Sequence, residues 1–273
     1  MGVKSLGAGI GTPAFFARQA AAPTTSVPAY NAAAPSVNPP FFVEPTQQLL
    51  AALGVAGPAL IVGLSGGPAG AYSPLWGGAE VWASLDGTNY GQPFADDAFF
   101  GVSAMGLTTA ALAAYGGVNP DTADTLAVDL SQSRGTLASV SPTSAAAFVS
   151  LCAVQASGGP IEFLAFETAS LVGASAYHLT TLYRGLYGTD AASHALGAQF
   201  VYLGSGEYFA QPLPAQYTGV PLEFKFPSFN STGGGLQSLA AATAYPYTPA
   251  GSGSLPGPGF QTDVITTNTN ISL

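Results

Sequence analysis

Residues able to do chemistry are few in this chain. The first group to weigh is Gly63-Leu64-Ser65-Gly66-Gly67, which fits the G-x-S-x-G pattern that presents a nucleophilic serine on a sharp turn between a strand and a helix. An apolar run precedes it, as the pattern requires. The downstream residues do not fit: Gly67-Pro68-Ala69-Gly70-Ala71-Tyr72-Ser73-Pro74 is too rich in glycine and proline to open a helix. The sequence therefore predicts a strand-terminating turn, with a serine hydrolase at Ser65 as a remote alternative. A serine mechanism also needs a base. The two histidines, His178 and His194, lie sixteen residues apart with no carboxylate at ligand spacing, which argues against both a triad and a metal centre. His178 falls mid-strand and reads as a hydrogen-bonded structural histidine, and His194 as an imidazole bracing a nearby glycine-rich loop.

Carboxylates give no clearer site. A glycosidase needs two facing each other across a cleft. Glu162 and Glu167 are five residues apart and would point to opposite faces of a regular strand, and adjacent Asp96 and Asp97 have the same problem. Asp121, Asp124 and Asp129 lack the alternate spacing and central glycine of a calcium loop and read as solvated turn residues. The single cysteine, Cys152, sits in the apolar run 148–154 and is expected to be a small buried hydrophobe. Aromatic Tyr72, Trp76, Trp82 and Tyr90 cluster around one hairpin and could stack on sugar, but core packing and subunit contact use the same residue types and are the preferred reading. No cofactor is implied.

The elements that must carry these residues are set by composition. Of 273 residues only 7% are charged while 48% are hydrophobic, with 35 glycines and 22 prolines. Helices keep their outer faces soluble with charged residues, and five basic plus fourteen acidic side chains cannot do that over much helix length. An all-β fold of sandwich- or barrel-like domains is the consequence. The net charge of −9 and the scattered Lys4, Arg18, Arg134, Arg184 and Lys225 make nucleic acid an unsuitable partner. The most lipid-like stretch, 49–64, is broken by Pro58 and three glycines, so no membrane span is expected. The first residues match neither a myristoylation nor a secretory signal pattern.

Along the chain, residues 1–45 read as an extended Pro/Ala-rich arm. Phe41, Phe42 and Val43 at its end suggest docking, as a strap on a neighbouring subunit. A β-rich domain spans 46–211. Within it the sequence predicts a buried strand at 58–64, a hairpin at Asp86-Gly87, strands at 108–114, 125–130 and 136–140, and one short helix at 144–151 capped by Thr143 or Ser144. Two alternating runs are expected to pair. In the first, Ile161, Phe163 and Ala165 oppose Glu162, Leu164 and Phe166; in the second, Tyr177, Leu179 and Thr181 oppose His178, Thr180 and Leu182. Residues 212–249, reversing at Ser231-Thr232-Gly233-Gly234-Gly235, look like the late hairpin of a fibronectin type III domain, and 250–273 read as a Gly/Pro linker and tail.

Several segments in order resemble the C-terminal region of the large tail-tip or baseplate hub proteins of long-tailed bacteriophages and gene transfer agents. They are the run from Trp76 to Tyr90, Asp124 to Leu130, Leu182-Tyr183-Arg184-Gly185-Leu186-Tyr187-Gly188-Thr189 with His194, Gly197 and Phe200-Val201-Tyr202-Leu203, and Phe226-Pro227-Ser228-Phe229-Asn230. The loop carrying Arg184, Gly185, Gly188, Thr189 and His194 is the most specific piece. The resemblance spans about residues 38–250 and implies a β-rich, non-enzymatic structural virion component, made in the host cytoplasm. It also implies a homotrimer that joins hub, distal tail and fibre proteins for host attachment. Phe41, Phe42, Tyr72, Trp76 and Trp82 are then the candidate interface or receptor contacts, and a carbohydrate- or receptor-binding module is the alternative function. Relatives with wall-hydrolysing domains are much longer, so that activity does not carry over.

Overall fold

In a computed structural model the described residues are 33–55, 57–91, 97–99, 101–156 and 159–252. The expected arm before residue 33, the tail after 252, and Asp96 lie outside them. The fold is nearly all β, as composition predicts, and every strand pair is antiparallel.

Three layers share two interfaces. The middle layer is a three-stranded sheet, β1 (Phe41–Val43), β2 (Ala59–Gly63) and β11 (Phe209–Pro212), with β2 at its centre. All five residues of β2 are buried because both faces are covered, which is why the strand reads as an unbroken apolar run. Leu60 and Val62 pack on one side with Trp76, Val81, Phe224 and Phe226. Ile61 packs on the other with Met105, Ala153, Phe163 and Val201.

On the first side lies a five-stranded sheet built on β3 (Trp76–Ser84), with β4 (Asp97–Phe99), β12 (Leu222–Lys225), β13 (Ser228–Asn230) and β14 (Ala244–Tyr247). The Asp-Gly hairpin forms as predicted: Gly87 has φ +69° and the chain returns as β4. β12 and β13 both run antiparallel to β3, from Glu223↔Ser84 to Asn230↔Trp76, and are separated at Phe226-Pro227, where proline has no N–H to give to the ladder.

On the other side is a closed six-stranded barrel in the order β10-β5-β6-β9-β8-β7. Its strands are β5 (Met105–Thr108), β6 (Leu126–Asp129), β7 (Cys152–Gln155), β8 (Ile161–Leu171), β9 (Ala176–Leu186) and β10 (Gln199–Tyr202). The interior holds Leu126, Val128, Cys152, Val154, Leu164, Phe166, Leu179, Leu182 and Phe200. Cys152 is buried and free, and burial pushes its thiol pKa well up. Two short helices complete the fold. α1 (Gln47–Leu53) is capped by Thr46, and α2 (Pro142–Ala146) by Ser141.

Several expectations need correction. Phe41 and Val43 are fully buried and pair with β2 of the same chain, so the end of the arm docks on its own chain. The chain does reverse at the glycine-rich turn, where Asn230 N–H bonds Gly234 O. The return limb at 236–239 is nevertheless not a strand, and β12 pairs with β3 and β14, so 212–249 is part of a shared sheet. No strand forms at 136–140, and none spans 108–114: β5 runs Met105–Thr108 and ends where that strand was expected to begin. The helix starts two residues before the predicted range, because Ser141 precedes a proline suited to the first turn. In β9 the alternation changes phase: Thr181 has φ +56°, so Leu182 joins Tyr177 and Leu179 on the buried face. His178 is exposed rather than structural.

Candidate functional site

One end of the barrel is organised by a single arginine. In β9, Leu182, Arg184 and Leu186 share the buried face, so the guanidinium enters the protein with no access to water. Its charge is met in kind. Nε and Nη2 donate to Glu162 Oε1 and Oε2 at 2.6 and 2.9 Å, a two-pronged pairing, and Asp121 Oδ2 lies 3.6 Å from Nη1. The remaining N–H groups reach Ala113 O at 3.2 Å and Ala192 O at 2.8 Å. His194 Nε2 donates to Glu162 Oε2 at 2.8 Å, and Gly185 N–H donates to Oε1 at 3.1 Å. Burial opposes the charge on Glu162, but His194, Arg184 and the Gly185 amide together hold its carboxyl below the ordinary value.

Backbone geometry supports the cluster. Asn119 Nδ2 donates to Arg184 O while Arg184 N–H donates to Asn119 Oδ1, both at 2.8 Å. His194 exchanges backbone bonds with Leu112, and Asp121 with Leu182. Thr189 Oγ1 accepts from Phe163 N–H and donates to Leu186 O. Gly185 has φ +63° and Gly188 φ +79°, and a Cβ at Gly188 would stand 2.9 Å from Gln48 Oε1. Because strands alternate in direction, the β5–β6 and β9–β10 connections leave the same barrel end, and the cluster fastens both to β8 and β9. The side chains of Arg184, Glu162 and Asp121 are wholly buried, so the arrangement braces loops and offers no surface to a substrate. Arg184 and Gly185, expected in a loop, lie within β9, and His194 lies in the connection that follows it. Glu162 and Asp121 were the missing partners; Asp121 is buried, not a solvated turn residue. The signal available in sequence was the lone arginine set between two leucines at strand spacing.

Other candidates disperse. Ser65 is fully buried, and its hydroxyl accepts from Asn38 Nδ2 at 3.2 Å; neither histidine bonds it. The segment after it makes only a short 3-10 turn, Pro68–Gly70. Gly66 is glycine because Trp76 lies against it, with indole Cδ1 2.1 Å from where a Cβ would be. Trp76 is itself core, its indole N–H donating to Ser228 Oγ at 2.9 Å, and so is no exposed contact. Phe41 is likewise core, and Phe42 stacks on Tyr247 at 4.7 Å within the chain. Trp82 and Tyr90 remain on the outer face of the five-stranded sheet, but their polar atoms are taken. Trp82 Nε1 donates to Glu80, Tyr90 Oη donates to Glu223, and Lys225 Nζ stands 4.8 Å over the Tyr90 ring. Tyr72 alone of the five lines an open groove, at the other end of the barrel. Among the described residues no group of three or more His, Cys, Asp or Glu side chains could hold a metal ion, and no helix is long and apolar enough to cross a membrane.

Residues 103–201 match a family model described as Rcc01698-like, C-terminal. The matched segment begins two residues before β5 and ends within β10, so what the family model describes is the barrel, with Asp121, Glu162, Arg184 and His194 all inside it. No curated protein matches the chain.

Proposed function

We propose that this protein is a non-catalytic structural component of a bacteriophage tail tip or baseplate, or of the equivalent part of a gene transfer agent. It assembles with hub, distal tail and fibre proteins and associates with two further copies of itself for host attachment. The reading starts from the sequence resemblance, whose most specific motif runs through Arg184 to His194. The observation that carries it is what that motif builds: a buried ionic brace of Arg184, Glu162, Asp121 and His194 that ties two long connections to the barrel. Those connections display Val118, 89% exposed, and Leu196, 69% exposed, as apolar contacts at the same barrel end. A surface poor in charge also favours burial against companions.

A density map of the intact particle, with this chain traced at the tail tip, tests the role. The mass of the purified protein in solution tests the copy number. Recovery of the chain only as a monomer, together with its absence from purified particles, overturns the proposal.

A further inference from the structure

The opposite barrel end holds the second arginine of the described fold, and its situation is the reverse of the first. Arg134 is exposed, and among the described residues it has no carboxylate partner. It sits on a groove of about 520 Å³ between the barrel loops and Tyr72, within the usual range of small-ligand sites of about 300–1,000 Å³. In a chain with fourteen acidic residues, none lines this groove. Its walls are hydroxyls and rings: Tyr72, Tyr177, Thr136 and Ser175. The hydroxyls of Tyr72, Thr136 and Ser175 have no hydrogen-bond partner among the described residues.

The loop that presents Arg134 is fixed before any ligand arrives. Ser131 N–H donates to Asp129 Oδ1 at 2.7 Å, Ser133 Oγ accepts from Met105 N–H at 3.1 Å and Gly135 N–H at 3.2 Å, and Asn38 Nδ2 donates to Gln132 O at 2.9 Å. Tyr72 N–H donates to Ser131 O at 2.9 Å, which ties the two walls together. Gly135 lies so close to Ala104 that a Cβ would come within 2.4 Å of it. Ordering costs that would otherwise weaken binding are thus already met.

We infer that this groove binds an acidic saccharide, with its anionic group on the Arg134 guanidinium and its hydroxyls on the free Tyr, Thr and Ser hydroxyls. The guanidinium supplies a planar fork of donors suited to carboxylate or phosphate, and the half-buried Tyr72 ring supplies a face for a sugar. A nucleic acid polymer would need several basic side chains along its phosphates, and Arg134 is the one cation among the residues lining this groove. The inference deepens the host-attachment part of the proposed function and rests on it for its biology. Binding by the purified chain reads the groove, whereas particle location reads the tail-tip role, so the two fail separately.

The test is calorimetric titration of the full chain at low salt with three oligomers of equal length: a galacturonate, a phosphodiester-linked hexose and a neutral glucan. Binding of either acidic oligomer, weakened about tenfold or more in Arg134→Ala and less in Arg134→Lys, supports the inference, and the oligomer that binds identifies carboxylate or phosphate as the anion. An unchanged melting temperature shows that the exposed substitution leaves the fold intact. The inference is overturned if neither acidic oligomer binds, if the glucan binds as well as they do, or if Arg134→Ala binds undiminished.

Discussion

Arg184 carries a full charge where water cannot reach it, and the cost of placing it there is met only while every partner stays in position. Removing one member of such a pair leaves the other buried and uncompensated, so Arg184→Ala should lower unfolding free energy by about 3–5 kcal/mol in denaturant titration. Acid should act on the same cluster. The folded protein holds the Glu162 carboxyl below its usual value of 4.5, so the unfolded chain takes up the proton first as pH drops. The stabilisation is complete above 4.5 and declines as pH falls toward the lower folded value. Melting temperatures measured across that window should fall more steeply in the native protein than in Glu162→Gln. On the outer sheet, burial and then the neighbouring Glu223 push the Tyr90 phenol from 10.0 up to about 12. Its contribution to stability is present below 10.0 and is lost as pH rises through about 12, and Glu223→Gln should bring the ultraviolet titration of this tyrosine back down.

At the scale of strands, barrel closure depends on close backbone approach. Gly106 on β5 pairs with Phe200 on β10, and a Cβ there would lie 1.9 Å from the Asp129 carbonyl oxygen on β6. A backbone oxygen cannot turn aside as a side chain can, so Gly106→Ala should cost at least about 1–3 kcal/mol, read by chemical denaturation. Strands of this kind were legible where the pattern is local. Asp86-Gly87 announces its turn, and the period of two in β8 correctly divides Phe163 and Ala165 from Leu164 and Phe166, which enter different cores. The pattern failed at Thr181, whose positive φ no propensity reveals, and at Glu162, Arg184 and Asp121, where pairing joins residues far apart in sequence. It failed too at Phe41, whose apolar character promised docking without saying on what.

For the molecule as a whole, the two cores on either side of the middle sheet are not independent bodies, since that sheet contributes to both. Leu60→Ala strikes the side facing the five-stranded sheet and Ile61→Ala the side facing the barrel, yet each should weaken one common unfolding event by about 2–5 kcal/mol. Scanning calorimetry of both variants should show a single endotherm whose calorimetric and van't Hoff enthalpies agree. Two separated endotherms would mean that the layers melt apart.

That middle strand also faces an unusual problem of address. A slip of β2 by one residue would send each side chain into the other core, and because both are oily, no polar residue would be stranded to forbid it. Bulk does the forbidding instead. A Cβ on Gly63 would stand 3.1 Å from Val201 Cγ2, closer than ordinary contact, and the slip would bring the larger Val62 or Leu64 side chain to that spot. The absence of a side chain at one position is what tells the strand which way to face.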